Sequence, residues 1–201
     1  MAEDCNAKLA GEFTKACGIK PKQGVDKKWY GNWEDIDFAA TQLANRNTVI
    51  TTLVLKAEAK VYTASGNDKS HIVKHALAVG DFGNGYIHTD EYVPLYIGIN
   101  ESERIQELVE GARVFTIEKM VDKGINGEIQ YRIAGFESGM VITNDDYSSS
   151  ENSGTSKIIC ATKEGEEEAT RLKIWNPAGG TATIEVWLTT NVYVAPEPEE
   201  G

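Results

Sequence analysis

The stretch VFTIEKMVDKGINGEIQYRIAGFESGMVIT, residues 114–143, constrains this chain more than any other. Phe115 and Ile117, then Ile129, Tyr131 and Ile133, alternate with polar residues, which is the period-two pattern of a strand with a covered face. Between the two runs stands Asn126-Gly127, a pair that tolerates the positive φ angles of a type I′ turn. The spacing predicts an antiparallel hairpin over Val114–Ile133. Gly135 and Gly139 then punctuate a third segment, Met140–Thr143, which runs into NDDYSSSENSGT and on to a further strand at Lys157–Ala161. Residues 144–155 are small and polar, so they are expected to form a loop that is mobile in the isolated subunit and ordered by a neighbour.

Strand-like text continues on both sides. TVITTLVLKAEAKVY is dense in β-branched residues and long enough for one bent strand or a hairpin. Gly66-Asn67-Asp68 is expected to turn the chain, HIVKHALAV to form a strand, and Gly80–Gly85 (GDFGNG) to turn it again before YIHTDEYVPLYIGI. LKIW, an Asn-Pro-Ala-Gly-Gly turn and TATIEVWLTTNVYV supply the last strands, with Ile184, Val186 and Leu188 on one face. One amphipathic helix is expected over about 101–110: Asn100 caps it, Glu103 completes a capping box, Ile105, Leu108 and Val109 form the stripe, and Gly111 ends it. The pattern reads as mainly β, an antiparallel β-sandwich or flattened barrel with one helix laid across it.

The expected organisation is an irregular, aromatic-rich N-terminal extension over 1–40, the β-sandwich over 41–194, and a flexible acidic tail over 195–201. The extension includes a short helix over Ala7–Cys17. Trp29, Tyr30, Trp33 and Phe38 make it too apolar for a free tail, so it should lie over the core or a neighbouring subunit.

The chain has 201 residues, 41% of them apolar, and a formal net charge of -11 from 31 acidic and 20 basic residues. That balance argues against a protein that grips nucleic acid, because phosphate binding rests on clustered Lys and Arg. No apolar run has the length of an export signal or a bilayer span, so a soluble protein made in a cytoplasm is expected. Cys5, Cys17 and Cys160 sit in no paired spacing and read as reduced structural thiols, with a Cys5–Cys17 bridge as the minor alternative.

Each candidate for chemistry has a plainer reading beside it. His71 and His75 have the i, i+4 spacing of a helical metal pair, but the segment is β-branched and lacks a zincin glutamate. His88 stands near Asp90 and Glu91 without a Ser or Cys nucleophile in a recognisable turn. GDFGNG lacks the ending of a phosphate loop and opens no helix. Asn144-Asp145-Asp146 and Glu34-Asp35-Asp37 could gather oxygens around calcium, but neither has the order of an EF-hand. Glu164–Glu168 reads as a solvated acidic turn. No catalytic residue, metal site or cofactor is assigned, and the chain reads as a non-enzymatic protein whose function is its surface.

The unit from Val114 to Trp175, a hairpin followed by a Ser/Asn/Asp stretch, the strand KIICATKEG and an acidic turn, resembles virion proteins of tailed phages that infect gut Bacteroidetes. The architecture is similar to that of the phage tail-tube family, whose subunits stack as rings around a channel and contact the next ring through a long loop or hairpin. The resemblance covers roughly the C-terminal two thirds and rests on turn patterns and alternation. It implies a virion (tail) location after synthesis in the host cytoplasm, with self-assembly into a ring or tube. It also implies contact with other virion proteins, no membrane, and DNA passing without specific binding. On this reading Met120, Asp122, Lys123, Ile125 and Asn126 of the hairpin, and Asp145, Asp146 and Tyr147 of the loop, contact neighbouring subunits. Glu118, Glu128 and Glu185 are the strand-borne acids expected to face the lumen, where a negative wall keeps phosphate from settling. Two other classes stand beside it: a β-sandwich binding or capsid-decoration module using Trp29, Trp33, Trp175 or Trp187 as stacking platforms, and a small hydrolase using His71, His75 or His88.

Overall fold

The computed structural model describes residues 26–80, 83–96, 112–120, 129–150, 153–169 and 171–194. Its strands in chain order are β1 Asp26–Asn32, β2 Gln42–Ala44, β3 Val49–Thr52, β4 Tyr62–Gly80, β5 Gly83–Tyr96, β6 Val114–Met120, β7 Gln130–Ala134, β8 Met140–Ser150, β9 Ser153–Thr162 and β10 Lys173–Trp175. A 3₁₀ turn at Trp33–Asp35 follows β1, and the α-helix among the described residues, α1, spans Gly180–Asn191. The fold is mainly β with one described α-helix. The sheet is mixed, because β10 runs parallel to β3.

The strand order is β1-β4-β5-β9-β8-β6-β7-β10-β3-β2, with β1 pairing a second time, to β6. The predicted hairpin is present: β6 and β7 pair from Thr116↔Ala134 to Met120↔Gln130. Asn126-Gly127 lies outside the described residues. Gly135 and Gly139 have φ of 71° and 73°, which glycine adopts at no steric cost. A Cβ on Gly135 would stand 2.7 Å from the Val114 carbonyl oxygen, so the turn hugs β6 and delivers Met140 opposite Val114.

The second pairing of β1 draws β4, β5, β9 and β8 over one face of β1 and β6 and leaves the other face for α1 and the β2–β3 side. Both faces are covered as a result. Trp29, Phe115, Ile117, Tyr131 and Ile133 join Ile50, Leu53, Trp175, Ile184 and Leu188 in one apolar cluster. Tyr30 and Val114 point the other way and meet Ala64, Tyr92, Met140, Ile158 and Cys160 in a second.

Several sequence expectations are corrected. Asp26–Asn32, assigned to an extension, is the strand shared by β4 and β6 and belongs to the sheet. The expected turn at Gly66-Asn67-Asp68 lies inside β4, where it appears only as a register irregularity against β5. The expected loop over 144–155 is the distal part of a β8–β9 hairpin, paired out to Ser150↔Ser153. Polar side chains did not prevent this, because the ladder uses backbone groups.

The largest correction is the segment TATIEVWLTTNVYV, read as strand and found mostly as α1. Gly180 takes φ of 61° and donates its N–H to Pro177 O at 2.8 Å, which starts the turn. Ile184 and Leu188, four apart, are buried, whereas Val186 between them is 67% exposed. Period two would have buried all three, so the helix period wins through packing over the β-branched propensity. Trp187 Nε1 donates to Leu53 O at 2.8 Å and pins the helix to the core. The helix expected over 101–110, the helix over Ala7–Cys17, Cys5, Cys17 and the tail 195–201 lie outside the described residues.

Candidate functional site

The face of β1 and β6 turned toward β5 carries charge. Lys28 and Thr116 are 1% exposed, Asp90 2% and Glu118 5%. Lys28 Nζ is ion-paired with Asp90 Oδ2, and Thr116 Oγ1 donates to the same oxygen at 3.1 Å. The ammonium lies 5.6 Å from the Tyr30 ring centroid and 6.0 Å from that of Tyr92. Glu118 is directly opposite Lys28 in the β1–β6 register, and Cys160 is opposite Asp90 in the β5–β9 register. Burial pushes the Cys160 thiol up to about 12, with Lys28 acting against the shift. The Tyr30 hydroxyl is raised for the same reason, burial first.

A second polar chain adjoins it. His75 and His88 are opposite each other in the β4–β5 register, with Nδ1 atoms 2.7 Å apart. His88 Nε2 stands 3.2 Å from Glu168 Oε2, and both side chains are buried. That approach is electrostatic, since the N–H does not line up as a hydrogen bond. A carboxylate accepts only, so it favours the tautomer with the proton on His88 Nε2, leaving His88 Nδ1 to accept from His75 Nδ1. Burial, then the charges of His88, Arg171 and Arg132, hold His75 down to about 4, with Glu118 opposing. Glu168 therefore departs from its solvated-turn reading: it turns inward, and its backbone bridges Tyr86.

The surface feature of most consequence is the β4–β5 hairpin. It runs to Gly80↔Gly83, while β1 covers β4 only from Tyr62 to Gly66. Beyond that, the outer edge of Ile72–Gly80 has no partner strand among the described residues. Ile72, Leu77, Val79 and, across the ladder, Ile87 are exposed at 47%, 56%, 77% and 43%.

The sequence-assigned contacts and acids fall in different places. Asp122, Lys123, Ile125, Asn126 and Glu128 lie outside the described residues. Met120 ends β6, and Asp145, Asp146 and Tyr147 lie on β8 opposite Ile158, Lys157 and Ser156. Glu118, expected to face a lumen, is buried instead, because both faces of β6 are covered. Glu185, expected on a strand, is exposed on α1, 3.7 Å from Lys119 Nζ. The tryptophans are packed rather than presented. Trp29 and Trp175 are buried, while Trp33 and Trp187 lie against the same cluster, with indole N–H groups donated to Phe136 O and Leu53 O. Of the histidines, the structure unites His75 with His88; of His71 only the backbone, opposite Tyr92, is described.

Sequence reading missed Lys28, Asp90, Thr116 and Glu168 as parts of one interior. The available signal was the alternation in VFTIE, where Thr116 and Glu118 fall on the side opposite Phe115 and Ile117. Among the described residues, no group of three or more His, Cys, Asp and Glu is arranged to hold a metal ion, and no helix is long and apolar enough to cross a membrane. Comparison with family models, curated proteins and solved structures gives no match.

Proposed function

We propose that the chain is a non-enzymatic virion structural protein of a tailed phage, a tail-tube or tail-associated ring subunit that self-assembles around a conduit for DNA. The observation that carries this reading is the β4–β5 arm. An open β edge flanked by exposed Ile72, Leu77 and Val79 is a liability in a free subunit, and a neighbour that covers it removes the liability. The β8–β9 hairpin, also long, is the second contact, through Asp145, Asp146 and Tyr147. The sequence resemblance to phage tail proteins and the net charge of -11, which suits a wall that must not hold phosphate, support it further.

The test is a Leu77→Lys, Val79→Lys double variant compared with the parent by sedimentation and circular dichroism. Exposed positions contribute little to folding, so the spectrum should be unchanged while assembly is lost. An unchanged assembly would remove the arm from the interface. Tight, salt-sensitive DNA binding by the parent assembly would contradict the conduit.

A further inference from the structure

We infer that Lys28 and Asp90 form an intramolecular isopeptide bond, with Glu118 as the proton carrier, so that the mature chain is covalently stapled between β1 and β5. The reactants are already in contact: Lys28 Nζ is paired with an Asp90 carboxyl oxygen, and each residue is almost completely buried. Thr116 Oγ1, 3.1 Å from Asp90 Oδ2, holds the carboxyl in place. Tyr30 and Tyr92 flank the amine with aromatic surface. In such low-dielectric surroundings the charged forms lose solvation, which brings the neutral amine and neutral acid, the reactive pair, within reach. Holding nucleophile and electrophile together supplies the proximity that an uncatalysed condensation lacks.

Glu118 is the third group. Directly opposed residues on antiparallel strands have Cβ atoms about 5 Å apart, so the Glu118 side chain starts beside that of Lys28 on the same buried face. Glu118 is 5% exposed, so its carboxyl is held in the same interior as the reacting pair.

The step balances without any co-reactant. The Lys28 ammonium passes a proton to the Asp90 carboxylate, and the neutral amine's lone pair attacks Asp90 Cγ. Glu118 takes a proton from the nitrogen and returns it to the departing hydroxyl. The C–O bond breaks, one water leaves, and a neutral amide joins Nζ to Cγ. Nothing is oxidised or reduced. The product replaces a buried ion pair with a neutral linkage, and it stands independently of the assembly proposed above.

The experiment is intact-mass measurement of the purified full chain, followed by peptide mapping. The expected mass is that of the sequence, after any removal of the initiator Met, less one water, with the loss confined to a branched peptide joining the segments around Lys28 and Asp90. Glu118→Gln should leave a folded chain at its full calculated mass. Asp90→Asn should release ammonia instead of water and converge on the same product mass as the parent. A folded parent chain at full mass, or a water loss mapped to any other pair of residues, overturns the inference.

Discussion

The two faces of β1 and β6 are built from the same strands and solve burial in opposite ways. On one, Trp29, Phe115 and Ile117 meet α1 and β10 in an apolar cluster. On the other, Lys28, Thr116 and Glu118 are enclosed with Asp90 under β5. The apolar face is a sum of area and packing, and each side chain can be deleted at a cost set by the space it leaves. The polar face is a set of mutual obligations, where removing one member leaves the others charged and dry. The first face tolerates independent change and the second does not.

Disturbing the polar face should give the largest effect. Lys28→Ala removes the staple and the amine together, leaving Asp90 a free buried acid in the same interior as Glu118, and should cost about 3–5 kcal/mol in urea unfolding. Replacing Lys28 and Asp90 together by apolar residues should cost less than the sum of the single changes. Additive costs would mean that the two faces behave alike. On the apolar face, Leu188→Ala removes a side chain 7% exposed and should cost about 2–4 kcal/mol, most of it recovered by Leu188→Met.

A smaller effect distinguishes helix from strand at 180–191. Val186→Thr, at a position 67% exposed, should change stability by less than about 0.5 kcal/mol, whereas Ile184→Thr should behave like a core lesion. Equal costs at the two positions would restore the period-two reading.

The smallest effect is pH dependence at the His75–His88 pair. His75 is held at about 4, below its usual 6.5, so the unfolded chain takes up the proton first as pH falls. Its contribution is complete above about 6.5, declines as pH drops from there toward 4, and changes no further below. His75 is only partly buried, so solvent screening keeps the amplitude small. His75→Gln should flatten the stability profile in that window, and an unaltered slope would assign it to other groups.

The pairing of β6 with β7 was legible in the sequence because the alternation that carries it is local. The mainly β class was legible for the same reason. The helix at Gly180–Asn191 was not, since its residues favour a strand and only Leu53, Ile50 and the rest of the apolar cluster select the other period. Burial of Glu118 was also hidden. Alternation says that it faces away from Ile117, but only the second pairing of β1, far off in sequence, decides that this face is roofed over. The same long-range pairing brings Lys28 to Asp90, a juxtaposition that no spacing rule contains.

The proposed ring or tube requires that the open β4–β5 edge be covered by a neighbouring copy of the chain. Sedimentation velocity of the purified chain across a range of concentrations, with negative-stain images of the same samples, measures it directly. Assembly as proposed gives closed rings or tubes whose mass is a multiple of 22.0 kDa. A monomer at every concentration, with the β4–β5 arm intact, would contradict it.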